Sequence, residues 1–127
     1  MKNNIVGWFE IPVIDLKRSI KFYESILDIK LTPVEVAGHQ MAMFPAIEDG
    51  LGTSGALIVQ GKNFKPGLDG VMIYISSPSG NVANELAKVE TAGGKVVLHR
   101  ELITKEVGYW GMFIDTEGNK IGIHSRE

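Results

Sequence analysis

The stretch G7-W-F-E-I-P-V-I-D-L-K-R-S-I-K-F-Y-E-S-I-L27 reads as a short strand, a turn and an amphipathic helix. Trp8, Glu10 and Pro12 alternate with Phe9, Ile11 and Val13, so one face of the strand is apolar and the other carries a carboxylate. Asp15 fits a helix N-cap. Leu16, Ile20, Tyr23 and Leu27 follow at helical spacing, with Phe22 and Ile26 widening the stripe, which predicts a helix with one buried face.

Beyond the helix, Leu31 to Val36 and His39 to Pro45 read as two strands about a turn at Ala37-Gly38. Gly55 to Gln60 is a third, after the glycine-rich loop Glu48 to Ser54. The same order then recurs. Gly70 to Ser76 reads as a strand and Ser79 to Ala92 as a helix stopped by Gly93-Gly94. Lys95 to Leu102, Tyr109 to Asp115 and Lys120 to His124 supply three more strands. Sliding one half over the other pairs Gly7 with Gly70 and Met43-Phe44 with Met112-Phe113. That self-similarity indicates a duplicated βαβββ unit of α+β class in one domain over residues 1–127, with module 1 at about 4–61, module 2 at about 68–126 and the joint at Gly61 to Gly67.

Composition narrows the function classes. A chain of 127 residues is one domain of ordinary size, and 44% hydrophobic with 22% charged residues is the balance of a folded protein. A formal net charge of −2, with no basic run, leaves no footprint for nucleic acid. The absence of cysteine excludes disulfides, thiolate metal sites and a catalytic thiol. Neither a leader-like N-terminus nor a long apolar run is present, so the expectation is a soluble cytoplasmic protein with no membrane partner. The glycines of 50–55 are followed by neither GK[ST] nor a helix, which makes them a loop over a pocket mouth rather than a phosphate cradle. Lys17, Arg18 and Lys21 read as a solvated helix face, and His39 and His99 as rim residues.

The duplicated order, together with Asp15-Leu16...Arg18-Ser19...Phe22-Tyr23 and Asp115...Glu117-Gly118-Asn119...Ile121, resembles the vicinal-oxygen-chelate superfamily of glyoxalases, bleomycin-resistance proteins and extradiol dioxygenases. The resemblance covers the whole chain. It implies two modules whose mixed sheets curl into an open cup with helices outside, a small-molecule ligand, and a homodimer. In metal-bearing members of that superfamily, the ion is held by His, Gln or Glu from the first and last strands of each module. Alignment on the helix motif puts those positions at Trp8, Leu57 or Val59, Val71 and Gly122, none of which offers a lone pair suited to a divalent cation. The fold carries over and the metal site does not, so no metal and no cofactor are expected. Lyase, isomerase or dioxygenase chemistry of the metal-dependent kind loses its Lewis acid.

Glu10 and His124 lie two residues from lost ligand positions and so face the cup by alternation. Two ligands fall short of the usual three or four. Instead, Glu10 among Trp8, Val71, Ile73 and Gly122 reads either as a ligand acceptor or general base whose pKa is raised by burial, or as a structural carboxylate paired with Arg100 or Arg126. His124 reads either as its proton-transfer partner or as a strand-end imidazole satisfied by backbone. Of Tyr109 and Trp110, one lines the cup. Two functions follow: a binding module with an apolar cup lined by Trp8, Glu10, Val71, Ile73, Tyr109, Trp110 and His124, or a metal-independent enzyme in which Glu10 and His124 move a proton.

Overall fold

The structure, a computed structural model, describes residues 2–127. β1 (Phe9–Val13), α1 (Leu16–Leu27), β2 (Thr32–Val36), β3 (His39–Met43) and β4 (Gly55–Val59) form the first module. β5 (Tyr74–Ser76), α2 (Val82–Val89), β6 (Lys95–Thr104), β7 (Gly108–Ile114) and β8 (Lys120–Ser125) form the second. The modules give four-stranded sheets of matching order, β1-β4-β3-β2 and β5-β8-β7-β6. In each, the first strand runs parallel to the last and the other pairs are antiparallel. This is the expected α+β fold of two βαβββ modules, with mixed, unclosed sheets.

Local chemistry explains the element boundaries. The Asp15 carboxylate accepts from Arg18 N at 3.0 Å to start α1, and Asp28 ends it in the left-handed region at φ 53°. Ala37 and Gly38 both have positive φ, as a two-residue hairpin turn that follows the sheet twist requires, and they set the Val36 to His39 register. Two expected elements are shorter. The second helix starts at Val82 because Asn81 is the cap that accepts from Ala83 N, while Ser79 braces the turn before it. Only Tyr74–Ser76 of the expected strand 70–76 pairs with β8, leaving Met72 outside the ladder.

One core spans both modules. Ile11, Val13, Phe22, Tyr23, Ile26 and Leu57 pack with Val82, Leu86, Val89, Phe113, Ile121 and Ile123. Phe22 meets Tyr23 edge-on at 5.0 Å between centroids and Phe113 at 5.7 Å, so α1 bridges to the second sheet. Each such side chain contributes about 1.5–3 kcal/mol by burial. A second, smaller cluster of Met41, Ala56 and Ile58 occupies the opposite face of the first sheet. Alternation sorts the residues of β1: Phe9, Ile11 and Val13 face the helix-side core, and Glu10 and Pro12 point to the opposite, cup face.

Candidate functional site

Register defines the rows of side chains on the face of each sheet turned away from the main core, the face that corresponds to the expected cup. In the first module, Glu10 stands beside Ala56 and then Met43 across β1, β4 and β3, and Pro12 stands beside Ile58, Met41 and Val34 in the next row. In the second, Tyr74 stands beside Gly122 and Met112, and Ser76 beside His124 and Trp110. Trp110 is the member of its pair that faces the cup. Tyr109 packs against the main core, with the Arg100 guanidinium 3.5 Å above its ring. Ile73 likewise packs on the main core and does not border Glu10. Val71 precedes β5 and is 93% exposed.

Glu10 faces the cup but is exposed, and among the described residues its side chain makes no hydrogen bond and no ion pair to Arg100 or Arg126. The burial expected of it is absent because nothing covers the edge strand β1 on that side. An open carboxylate needs no structural partner. Trp8, 46% exposed, lies two residues earlier, just ahead of β1. His124 lies in the other sheet, and its Nε2 is 2.7 Å from the Val107 carbonyl, so that nitrogen is the N–H donor. No hydrogen bond joins Glu10 to His124 among the described residues.

Sequence reasoning missed Tyr74. A Cβ placed on Gly122 would sit 2.6 Å from Cδ1 and Cε1 of Tyr74, so the aromatic ring lies over the glycine. The Trp110 ring is tilted against it, with centroids 6.2 Å apart and planes at 34°. Gly122 is the fourth position at which the resemblance would put a metal ligand. Here the place of that side chain is taken by an aromatic face, half exposed at Tyr74. Among the described residues, no three His, Asp or Glu side chains converge as a metal-holding group. The donor set at the aligned positions does not fit an ion. Strand pairing of Tyr74 with Gly122 was the available signal, since a large ring beside a glycine in a parallel ladder has room to lie flat.

The two sequence motifs behind the resemblance meet in a clasp rather than in the cup. Glu117 Oε1 accepts from Ile14 N (2.9 Å), Asp15 N (2.8 Å) and Arg18 Nη2 (2.9 Å). Its Oε2 accepts from Arg18 Nε (2.8 Å) and the Thr116 hydroxyl (2.7 Å). Burial opposes its ionisation, but the bonds from Arg18, Asp15, Thr116 and Ile14 outweigh it and bring the pKa down to about 2. Next to it, Asp115 accepts the Tyr23 hydroxyl at 2.6 Å. Burial, then the Asp115 charge and hydrogen bond, push the Tyr23 phenol well above its ordinary range. Asn119 donates to Pro12 O at 2.8 Å and accepts from Gly67 N at 3.1 Å, tying module 1 and the joint to module 2. Arg18, itself half exposed, thus pairs with a buried carboxylate and is not part of a merely solvated face.

The glycine-rich loop borders the start of β1. The Thr53 hydroxyl donates to Gly7 O at 2.8 Å and Ser54 bonds the Phe44 and Pro45 carbonyls, so its C-terminal end is pinned. The tip exposes Ile47 and Leu51.

Comparison with known proteins agrees with this architecture. Among curated proteins none matches the sequence. Of solved structures, an antibiotic-binding protein from Streptomyces sp. is similar at 22% identity over 100% of this chain and 99% of its own, with TM-score 0.68. A glyoxalase/bleomycin resistance protein from Albidiferax ferrireducens is similar at 19% identity, covering 98% and 100%, with TM-score 0.68. Glyoxalase I from Zea mays is similar at 24% identity over 94% of this chain, which spans only 45% of the maize chain, with TM-score 0.67. No helix among the described residues is long and apolar enough to cross a membrane. The family model for the Glyoxalase/Bleomycin resistance protein/Dioxygenase superfamily matches residues 5–123, and the chain belongs to that superfamily.

Proposed function

We propose that this protein binds a small organic molecule in the concave faces of its sheets without a metal ion, acting as a container in the cytoplasm. The observation that carries the reading is Tyr74 lying over Gly122 with Trp110 beside it, an aromatic platform in place of a metal-ligand side chain. Flat apolar ligands stack on such faces, and a few polar groups fix their orientation. Trp8 and Glu10 on the first module and His124 on the second supply those fixtures. The similarity to an antibiotic-binding protein supports the same reading at the level of fold.

The alternative of proton transfer between Glu10 and His124 is weaker, because the His124 Nε2 is already engaged by Val107 and the two groups belong to different sheets. A thermal-shift screen of flat aromatic compounds, followed by calorimetric titration of the best binder, decides between them. Tyr74→Ala is expected to weaken binding by about 1 kcal/mol or more, the scale of one aromatic pair. Glu10→Gln and His124→Asn should have independent effects on affinity, adding within a few tenths of a kcal/mol. Turnover of the bound compound, abolished by either change, would favour the enzyme. Elemental analysis of tag-free protein is expected to give no stoichiometric metal, and about one tightly bound ion per chain would overturn the metal-free reading.

A further inference from the structure

The joint between the modules lays one of its side chains, Phe64, on the cup face of the first sheet. Gln60 N donates to Val13 O at 2.7 Å and Gly67 N donates to Asn119 Oδ1 at 3.1 Å, so the segment is pinned at both ends. Between the pins, Gly61 N bonds Phe64 O at 3.0 Å, and Lys62, Asn63 and Lys65 are exposed. Phe64 points the other way. It is half-buried against Met41, Ala56 and Ile58, together with Val34 and Met43, and its ring meets the His39 ring edge-on at 5.6 Å.

Three features of this contact suit a replaceable occupant. The cluster is separate from the main core, so removing the ring leaves Phe22, Tyr23 and Phe113 packed. Two methionines border it, and thioethers on flexible stems adapt to rings of different shape. Glu10 stands in the same cross-strand row as Ala56 and Met43, with an exposed carboxylate beside the apolar patch. We propose that Phe64 is a built-in plug that occupies a site for a flat aromatic molecule bearing an N–H or O–H donor, and that ligand entry swings the 61–66 strap outward while both pins hold. This rests on the container reading and adds to it a further site on the first sheet, apart from the platform of Tyr74 and Trp110, the ligand class it takes and the residue that competes with the ligand.

The test uses N-phenyl-1-naphthylamine, a neutral aromatic amine whose fluorescence rises in apolar surroundings. Phe64→Ala is expected to bind it about tenfold tighter than the unmodified protein, since the plug no longer competes, a change of about 1.4 kcal/mol. Phe64→Trp is expected to bind it more weakly. Bound probe should shift the methyl resonances of Met41 and Met43. Phe64→Leu, a smaller change to packing, should move affinity in the same direction as alanine and keeps the test open if Phe64→Ala does not fold. Probe binding of equal strength in all variants, or binding that leaves both methionine methyls unmoved, overturns the plug while the container reading stands. No probe binding by any variant overturns the plug, and the container reading then stands or falls on the wider screen.

Discussion

Glu117 shows how one side chain does work that its sequence context barely announces. Its carboxylate is inaccessible and accepts five hydrogen bonds, two of them from an arginine far away in the chain. A neutral amide of the same shape has to turn an NH2 toward either the Ile14 and Asp15 amides or the Arg18 guanidinium, all of them donors. Glu117→Gln is therefore expected to destabilise the fold by about 2–4 kcal/mol in urea unfolding at neutral pH. The sign of the pH effect follows from the depressed pKa. The unfolded carboxyl binds its proton near pH 4.5 and the folded one near pH 2. The stabilisation is thus full above pH ~4.5 and disappears as pH falls toward ~2. Urea midpoints measured across that window should fall for the unmodified protein and change less for Glu117→Gln. Parallel curves would mean that Glu117 does not carry the acid response.

At the scale of elements, β5 and β8 illustrate a pair built around a missing side chain. The Tyr74 ring rests on Gly122, and any Cβ there would also lie 3.2 Å from Ile73 O. Gly122→Ala is expected to cost about 1–3 kcal/mol through overpacking. Tyr74→Ala in the same chain should recover part of that loss, because it removes the ring that the new methyl displaces. Chemical unfolding of the two single variants and the double variant measures the coupling, and strictly additive losses would show that the ring and the glycine are not in competition. The β2-β3 hairpin, by contrast, owes its register to its own turn. Ala37 and Gly38 supply the positive φ values locally, with no help from the rest of the chain.

For the whole molecule, the unburied surface is the informative feature. Trp8, Tyr74 and Val71 are exposed on or beside the edge strands β1 and β5, and Val36 and Leu102 are exposed at the far ends of the hairpins. Open cup faces with large apolar side chains are stabilised by a second copy, and an isologous pair covers the same patch on both partners. We therefore expect a homodimer. Sedimentation equilibrium should report two chains per particle at micromolar concentration, and a monomer persisting up to the millimolar range would contradict this. Trp8→Glu, which puts a charge on that face without touching the main core, is expected to shift the equilibrium toward monomer.

By itself, the sequence determined the element order, the duplication and the sorting of strand residues into two faces. These follow from periods of 2 and 3.6 and from local signals such as Asp15, Ala37-Gly38 and Gly93, and periodicity needs no knowledge of distant residues. It also put Glu10 and Trp8 on the cup side, together with one of Tyr109 and Trp110 without deciding which. It did not reveal that Glu10 is uncovered, that Ile73 and Tyr109 turn to the helices, or that His124 is held by Val107, because exposure and partners depend on which strands end up at sheet edges. The Asp115 to Asn119 motif was legible as a family mark, while its work as a clasp on Asp15, Arg18 and Tyr23 was not. Those contacts join residues about a hundred positions apart, and only tertiary packing decides which charges are drawn out of water and which donors meet them.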